Sequence, residues 1–329
     1  MKNRLFPIIL AFASTTSIAQ LKWYKFDKAF IDSHYSQDEG AIGTLSASSM
    51  HPAKNSHTVS CGGNDGELHI GIDEASLRNG QRPVSAFANQ SDSDFGMVAE
   101  PPNIKRGPFL NAIENADGQR AAFFGYFRLW NEGHDSGQIF PSNPHHVLEV
   151  HPTWGIRSSS FNFAPRPTVI FATPGFSGYG ASKFVSVLQS VPTWLQVAED
   201  QSFVYVRLMK ADNFYQLPVT VKEIRTFGNG AGVAALVDVF SDSPHQHLVY
   251  SNLTVVTAAN GPLAPRLQPG WSTFLLGFFS VNLKKAEAVA SGHARSNAVP
   301  AARALEFFAF GVPQQKAVSS SSPCTEEDD

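Results

Sequence analysis

The sequence has little cysteine, little charge and no apolar run long enough to cross a membrane. Its two cysteines, Cys61 and Cys324, are too few for the disulfide framework that staples small secreted domains. One sits in the glycine-rich turn Ser60–Gly66 and the other in a polar C-terminal stretch, so free thiols or an intermolecular bridge are expected. Charged residues make up 16% of the chain. Together with 25 glycines, 21 prolines and 26 phenylalanines, this favours strands joined by turns over a helical bundle. The apolar segment Leu5–Ala13 is too short for a membrane span. Signatures of reaction chemistry are also missing. There is no H-E-x-x-H motif, and His146-x-x-Glu149-x-His151 is one residue too long for H-x-x-E-H, which in any case needs a helix.

Lys2 and Arg4, the apolar segment after them and the small residues Ser17 and Ala19 have the order of a secretory signal peptide. Residues 1–19 are therefore expected to be removed, leaving a secreted or periplasmic chain that starts at Gln20. That chain carries 23 basic against 28 acidic side chains, a net charge of −5. Such a surface does not attract polyanions, so nucleic acid and anionic membrane are not expected as partners.

The densest chemistry lies between Pro144 and Pro152, where His145, His146, Glu149 and His151 occur within nine residues. The run is short, valine-containing and fenced by prolines, which predicts a strand. Alternation then places Leu148 and Val150 on one face and Glu149 and His151 on the other, with the latter two roughly 6.6 Å apart at the backbone. A second Glu-x-His pair, Glu67 and His69, alternates in the same way with Leu68, Ile70 and Ile72. If these two strands are neighbours, two carboxylates and two imidazoles converge on one face. That set suits zinc, manganese or iron, and equally a network of carboxylate–imidazole hydrogen bonds. His145 and His134 are candidates for an outer shell around the four.

Strands are also predicted over Phe95–Glu100 and Gln119–Trp130, with a short helix at Gly107–Ala116 and loops over 31–60 and 74–93. Short strands with intervening turns predict a small barrel over residues 20–156. The order Cys61…Gly66-Glu67-x-His69, Val98-x-Glu100, Gly125-Tyr126 and His145-x-x-x-Glu149-x-His151-Pro152 resembles a largely uncharacterised domain of secreted bacterial proteins. The resemblance covers roughly residues 55–156 and departs from the pattern at His146 and Val147. It implies an oligonucleotide/oligosaccharide-binding-like (OB-like) barrel and carries no established reaction.

Beyond Ile156, the Ser- and Pro-rich stretch Arg157–Pro167 marks a linker to a second β-rich domain over residues 168–312, with one or two short helices. The clearest helix is Ala181–Val191, preceded by the glycine-rich segment Pro174–Gly180, which matches no phosphate-binding motif and is taken as a structural turn. Thr226–Gly232 predicts a hairpin, His245 and His247 a solvated loop, and residues 313–329 a disordered acidic tail. The fold class is thus mainly β, an OB-like barrel followed by a second β-rich domain. Two functions remain open. One is a noncatalytic secreted binding protein, with a saccharide among its possible ligands. The other is a metal-dependent hydrolase using Glu67, His69, Glu149 and His151 around a zinc-like ion.

Overall fold

The computed structural model describes residues 23–35, 41–47, 49–52, 68–73, 84–86, 97–101, 110–130, 146–163, 178–208, 214–227, 230–243 and 245–312. Cys61, Glu67, His134, His145 and Cys324, the expected signal peptide and the expected tail lie outside them. So does most of the segment Pro174–Gly180.

The first half of the chain runs β1 (Trp23–Asp27), α1 (Lys28–His34), β2 (Ala41–Ala47), β3 (Ser49–Pro52), β4 (Ile70–Asp73), β5 (Val84–Ala86) and β6 (Met97–Ala99). It continues through α2 (Leu110–Glu114), β7 (Ala121–Leu129), β8 (Leu148–Ser158) and β9 (Asn162–Phe163). The second half runs α3 (Ala181–Trp194), β10 (Leu195–Glu199), β11 (Phe203–Leu208), β12 (Phe214–Phe227), β13 (Gly232–Phe240) and β14 (Leu248–Ala258). It ends with β15 (Ser272–Val281), α4 (Leu283–Ala290), β16 (Val299–Pro300) and β17 (Leu305–Gly311). The chain is mainly β, as its composition predicts. The stretches 31–60 and 74–93, expected to be loops, contain the end of α1 and strands β2, β3 and β5. These elements are short, and they pair with partners distant in sequence, so local periodicity did not reveal them.

Five strands close a barrel in the order β12-β13-β14-β17-β15, the small barrel that an OB-like fold calls for. It is built from residues 214–311, not from the stretch 20–156. Strands β12–β15 run for 9 to 14 residues, whereas β4 and β6 have four and three residues. The first-half strands instead form an open sheet, β2-β7-β8-β6-β4-β3, with β9 beside β8. A third sheet, β16-β10-β11-β1-β5, takes β1 and β5 from the first half and the rest from the second. Pairing such as Phe26 with Val204 therefore joins residues on either side of the expected linker.

β8 is the central strand of the open sheet and is buried on both faces. It pairs antiparallel with β7 and parallel with β6. Pro152 does not end the strand as a proline in a regular ladder would. Gly125 lies opposite Thr153 and Phe127 opposite Val150, so His151 and Pro152 together face a single residue of β7. That bulge accommodates the residue that cannot donate a ladder hydrogen bond. The face of β7 carrying Phe124, Tyr126 and Arg128 meets the outside of the barrel, where Tyr126 and Trp154 pack with Phe278, Phe308 and Phe310. A second contact between sheet and barrel is polar. Tyr126 donates to the Glu306 carboxylate at 2.5 Å, and Asn282, which also caps α4, donates to the other oxygen at 3.1 Å.

Candidate functional site

Three neighbouring strands carry the site. Val98 of β6 lies level with Glu149 of β8 and Ala99 with Val150, so Glu100 comes level with His151. The alignment is held by Glu100 N–H donating to the Val150 carbonyl and Thr153 N–H donating to the Glu100 carbonyl, both at 3.0 Å. On the other side of β6, Ile70 pairs with Ala99, which brings His69 beside Glu100. On the far side of β8, Arg128 of β7 lies directly opposite Glu149. His146 enters from the segment leading into β8. Alternation on β8 is as the sequence predicts: Leu148 and Val150 join the main apolar cluster, and Glu149 and His151 turn to the polar one.

The polar groups converge. His151 Nδ1 stands 2.7 Å from Glu100 Oε2 and 3.4 Å from Glu149 Oε2. His146 Nε2 stands 3.1 Å from Glu100 Oε1 and 3.3 Å from Glu149 Oε2. His69 Nε2 is 3.6 Å from Glu100 Oε1. Arg128 Nη1 donates to Glu149 Oε1 at 2.8 Å, while its Nε donates to the Phe279 carbonyl of the barrel at 3.0 Å. Phe278 closes the barrel side, with its ring centre 3.9 Å from the guanidinium and 4.8 Å from the His151 ring. None of these ionisable side chains is more than 1% exposed.

Electrostatics follow from this burial. Desolvation alone would raise the Glu100 pKa, but the charge of His151 and His69 and hydrogen bonds from His146 and His151 hold it well below the usual carboxylate value. For Glu149, burial and the nearby Glu100 charge push upward, and Arg128 with both hydrogen-bonding imidazoles brings the net below the usual value. His146 is the converse. Burial pushes it down, yet hydrogen bonds to Glu100 and Glu149 and their charge raise it well above an ordinary imidazole. Glu100, Glu149 and His151 also offer ligand atoms within 4.8 Å of one another, a spacing that could hold a metal ion.

Of the predicted residues, the structure therefore unites His69, Glu149 and His151. The two Glu-x-His strands are not neighbours, however, since β6 lies between β4 and β8 and supplies Glu100 as the central carboxylate. Glu100, Arg128 and His146 were not among the predicted site residues. Their signals were present: a carboxylate ending an apolar strand, an arginine alternating with Phe124 and Tyr126, and a third histidine beside His145. His245 and His247 lie in an exposed segment, with His247 facing Ser241, as expected of a solvated loop. At the start of α3, Asp242 accepts from Ser182 N–H at 3.3 Å. A side-chain carboxylate thus takes the place that a bound anion would have at that helix end.

No family model matches the chain, and no curated protein matches it. Among solved structures it is similar to the single-stranded DNA binding protein of Thermus aquaticus, in wild-type form and as a deletion mutant. Each match has 10% identity and a TM-score of 0.18 and covers 92% of this chain and 97% of the other. On this finding, the expectation from net charge that nucleic acid is not a partner is withdrawn. Net charge sums over the whole surface and does not describe any one face. At that TM-score, the likeness carries no argument for a ligand either. No helix among the described residues is long and apolar enough to cross a membrane.

Proposed function

We propose that this chain is an exported, noncatalytic binding protein in which the His/Glu cluster is a structural centre. The observation that carries this is closure. The side chains of His69, Glu100, His146, Glu149 and His151 are at most 1% exposed, and Phe278 of the barrel packs over His151. A hydrolytic centre keeps an open position for water and substrate, and among the described residues this arrangement gives neither a route to Glu149 or His151. Binding is supported by the barrel surface. Leu248 is 52% exposed and Phe274 41%. Leu248 pairs with Phe240 and Phe274 with Pro218, so large apolar side chains mark this part of the surface. Export is supported by the order of charged, apolar and small residues in 1–19. N-terminal analysis of the exported protein should give Gln20, and retention of Met1 would contradict export.

The structural centre is tested by stability in the presence of chelator. Glu149→Gln leaves Arg128 as an uncompensated charge in the core, and the unfolding free energy should fall by about 3–5 kcal/mol. Replacing Arg128 and Glu149 together by Met should recover a large part of that loss. A catalytic carboxylate behaves in the opposite way, because its removal leaves stability unchanged or raises it. That result would favour the hydrolase reading.

A further inference from the structure

Two imidazole nitrogens in the centre each face two carboxylate oxygens, and each can carry only one proton. Four contacts, at 2.7, 3.1, 3.3 and 3.4 Å, therefore share at most two donors. His146 Nε2 is hydrogen-bonded to Glu149 Oε2 and also stands 3.1 Å from Glu100 Oε1, so one ring nitrogen serves two carboxylates. The geometry is thus better matched to a shared point than to separate bonds. Ligand atoms about 2.0–2.1 Å from a tetrahedral ion lie about 3.3 Å apart; His146 Nε2 and His151 Nδ1 stand 3.3 and 3.4 Å from Glu149 Oε2, and the two oxygens of Glu100 lie 3.1 Å from His146 and 2.7 Å from His151. The second oxygen of Glu149 is already committed to Arg128, which aims Oε2 inward.

From this we infer that Glu100, Glu149, His146 and His151 form a site for a divalent transition-metal ion of the zinc class. Arg128 positions Glu149, and His69 stands behind Glu100. The inference rests on the cluster being a structural centre and adds the ion that completes it. Three of the donors lie on two neighbouring strands and their flanks, and Phe278 of the barrel covers His151, so a bound ion would fasten the open sheet beneath the barrel. Two imidazoles and two carboxylates form a mixed N/O set suited to zinc, with no thiolate among the described donors.

The test uses the full chain, stripped by chelator and returned to zinc. The wild type should take up about one Zn²⁺ per chain, with a rise in melting temperature. His151→Ala should abolish both effects. Arg128→Met should weaken zinc binding about 10–100-fold, as loss of a partner that orients a ligand does. The isosteric Glu100→Gln guards against variants that do not fold, and should retain the fold while losing zinc. A His245→Ala/His247→Ala control should bind as the wild type does. A stripped, folded wild type that takes up no Zn²⁺ would overturn the inference, as would uptake that persists in Glu100→Gln and His151→Ala. Failure here is separable from failure of the structural centre. An absent metal with Glu149→Gln still destabilising in chelator refutes only the ion, whereas an undiminished stability of Glu149→Gln refutes the centre.

Discussion

Gly125 and Arg128 are three residues apart on β7 and do opposite things for the same centre. Arg128 fills space, spanning from Glu149 to the Phe279 carbonyl. Gly125 leaves space at the β8 bulge. A Cβ there would lie 2.6 Å from Val150 Cγ1 and 3.1 Å from Thr153 Cα, and would also strike the Pro152 carbonyl. Gly125→Ala should therefore push β7 away from β8 and cost about 1–3 kcal/mol, the usual penalty for overpacking. Gly43→Ala is the comparison, because its Cβ would meet only Phe127, at an ordinary 3.6 Å. Denaturant unfolding should show a loss for the first and little change for the second, and equal effects would contradict this account of the bulge. At this scale the sequence was partly legible. The Glu-x-His spacing marks His69, Glu149 and His151, which do converge. Glu100 has no histidine two residues on, so that pattern passes over it. Arg128 shows only as a cation among Phe124, Tyr126 and Leu129, and the carboxylate that neutralises it lies 21 residues away in sequence.

Among the elements, alternation predicted the faces of β8, and the glycine-rich turn predicted the hairpin from β12 to β13. Alternation could not place β6 between β4 and β8, because strand order depends on pairing across long separations in sequence. Nor could it give the position of the closed barrel, which depends on which strands return to pair. The contact between β7 and β17 depends on the same kind of non-local placement. Tyr126 donates to Glu306 across it. Burial raises the Tyr126 pKa well above that of an ordinary tyrosine, and the Glu306 charge and hydrogen bond raise it further. The folded pKa thus exceeds the unfolded one. The stability this contributes is fully present below about pH 10 and is lost as pH rises through the folded value. Tyr126→Phe should cost about 1–3 kcal/mol at neutral pH, since Glu306 loses a donor. It should also lose less stability than the wild type above about pH 10. Tyr35, whose pKa is raised by burial and by Glu306, accounts for an alkaline loss that remains. An unchanged alkaline slope in the variant would contradict the assignment.

For the whole molecule, the Ser- and Pro-rich stretch 157–167 suggested a boundary, yet strand pairing runs across it in the sheet that joins β1 to β11. One apolar cluster also includes Phe26, Val150, Val204 and Phe279. We infer that both halves fold as one cooperative unit with the His/Glu centre at its core. Composition marks where a chain changes character, and it does not reveal which strands return to pair.

Native-state amide hydrogen exchange in chelator tests whether the His/Glu centre is closed. The N–H groups of Glu100, Trp130 and Thr153 bond to carbonyls in and around the centre, and those of β12 and β13 lie in the barrel. If the centre is structural and the molecule is one unit, both sets should exchange only through global unfolding, with the same protection free energy. Exchange at Glu100 and Thr153 that is markedly faster than in the barrel strands would show a centre that opens on its own, as an active site must. That result would contradict the account.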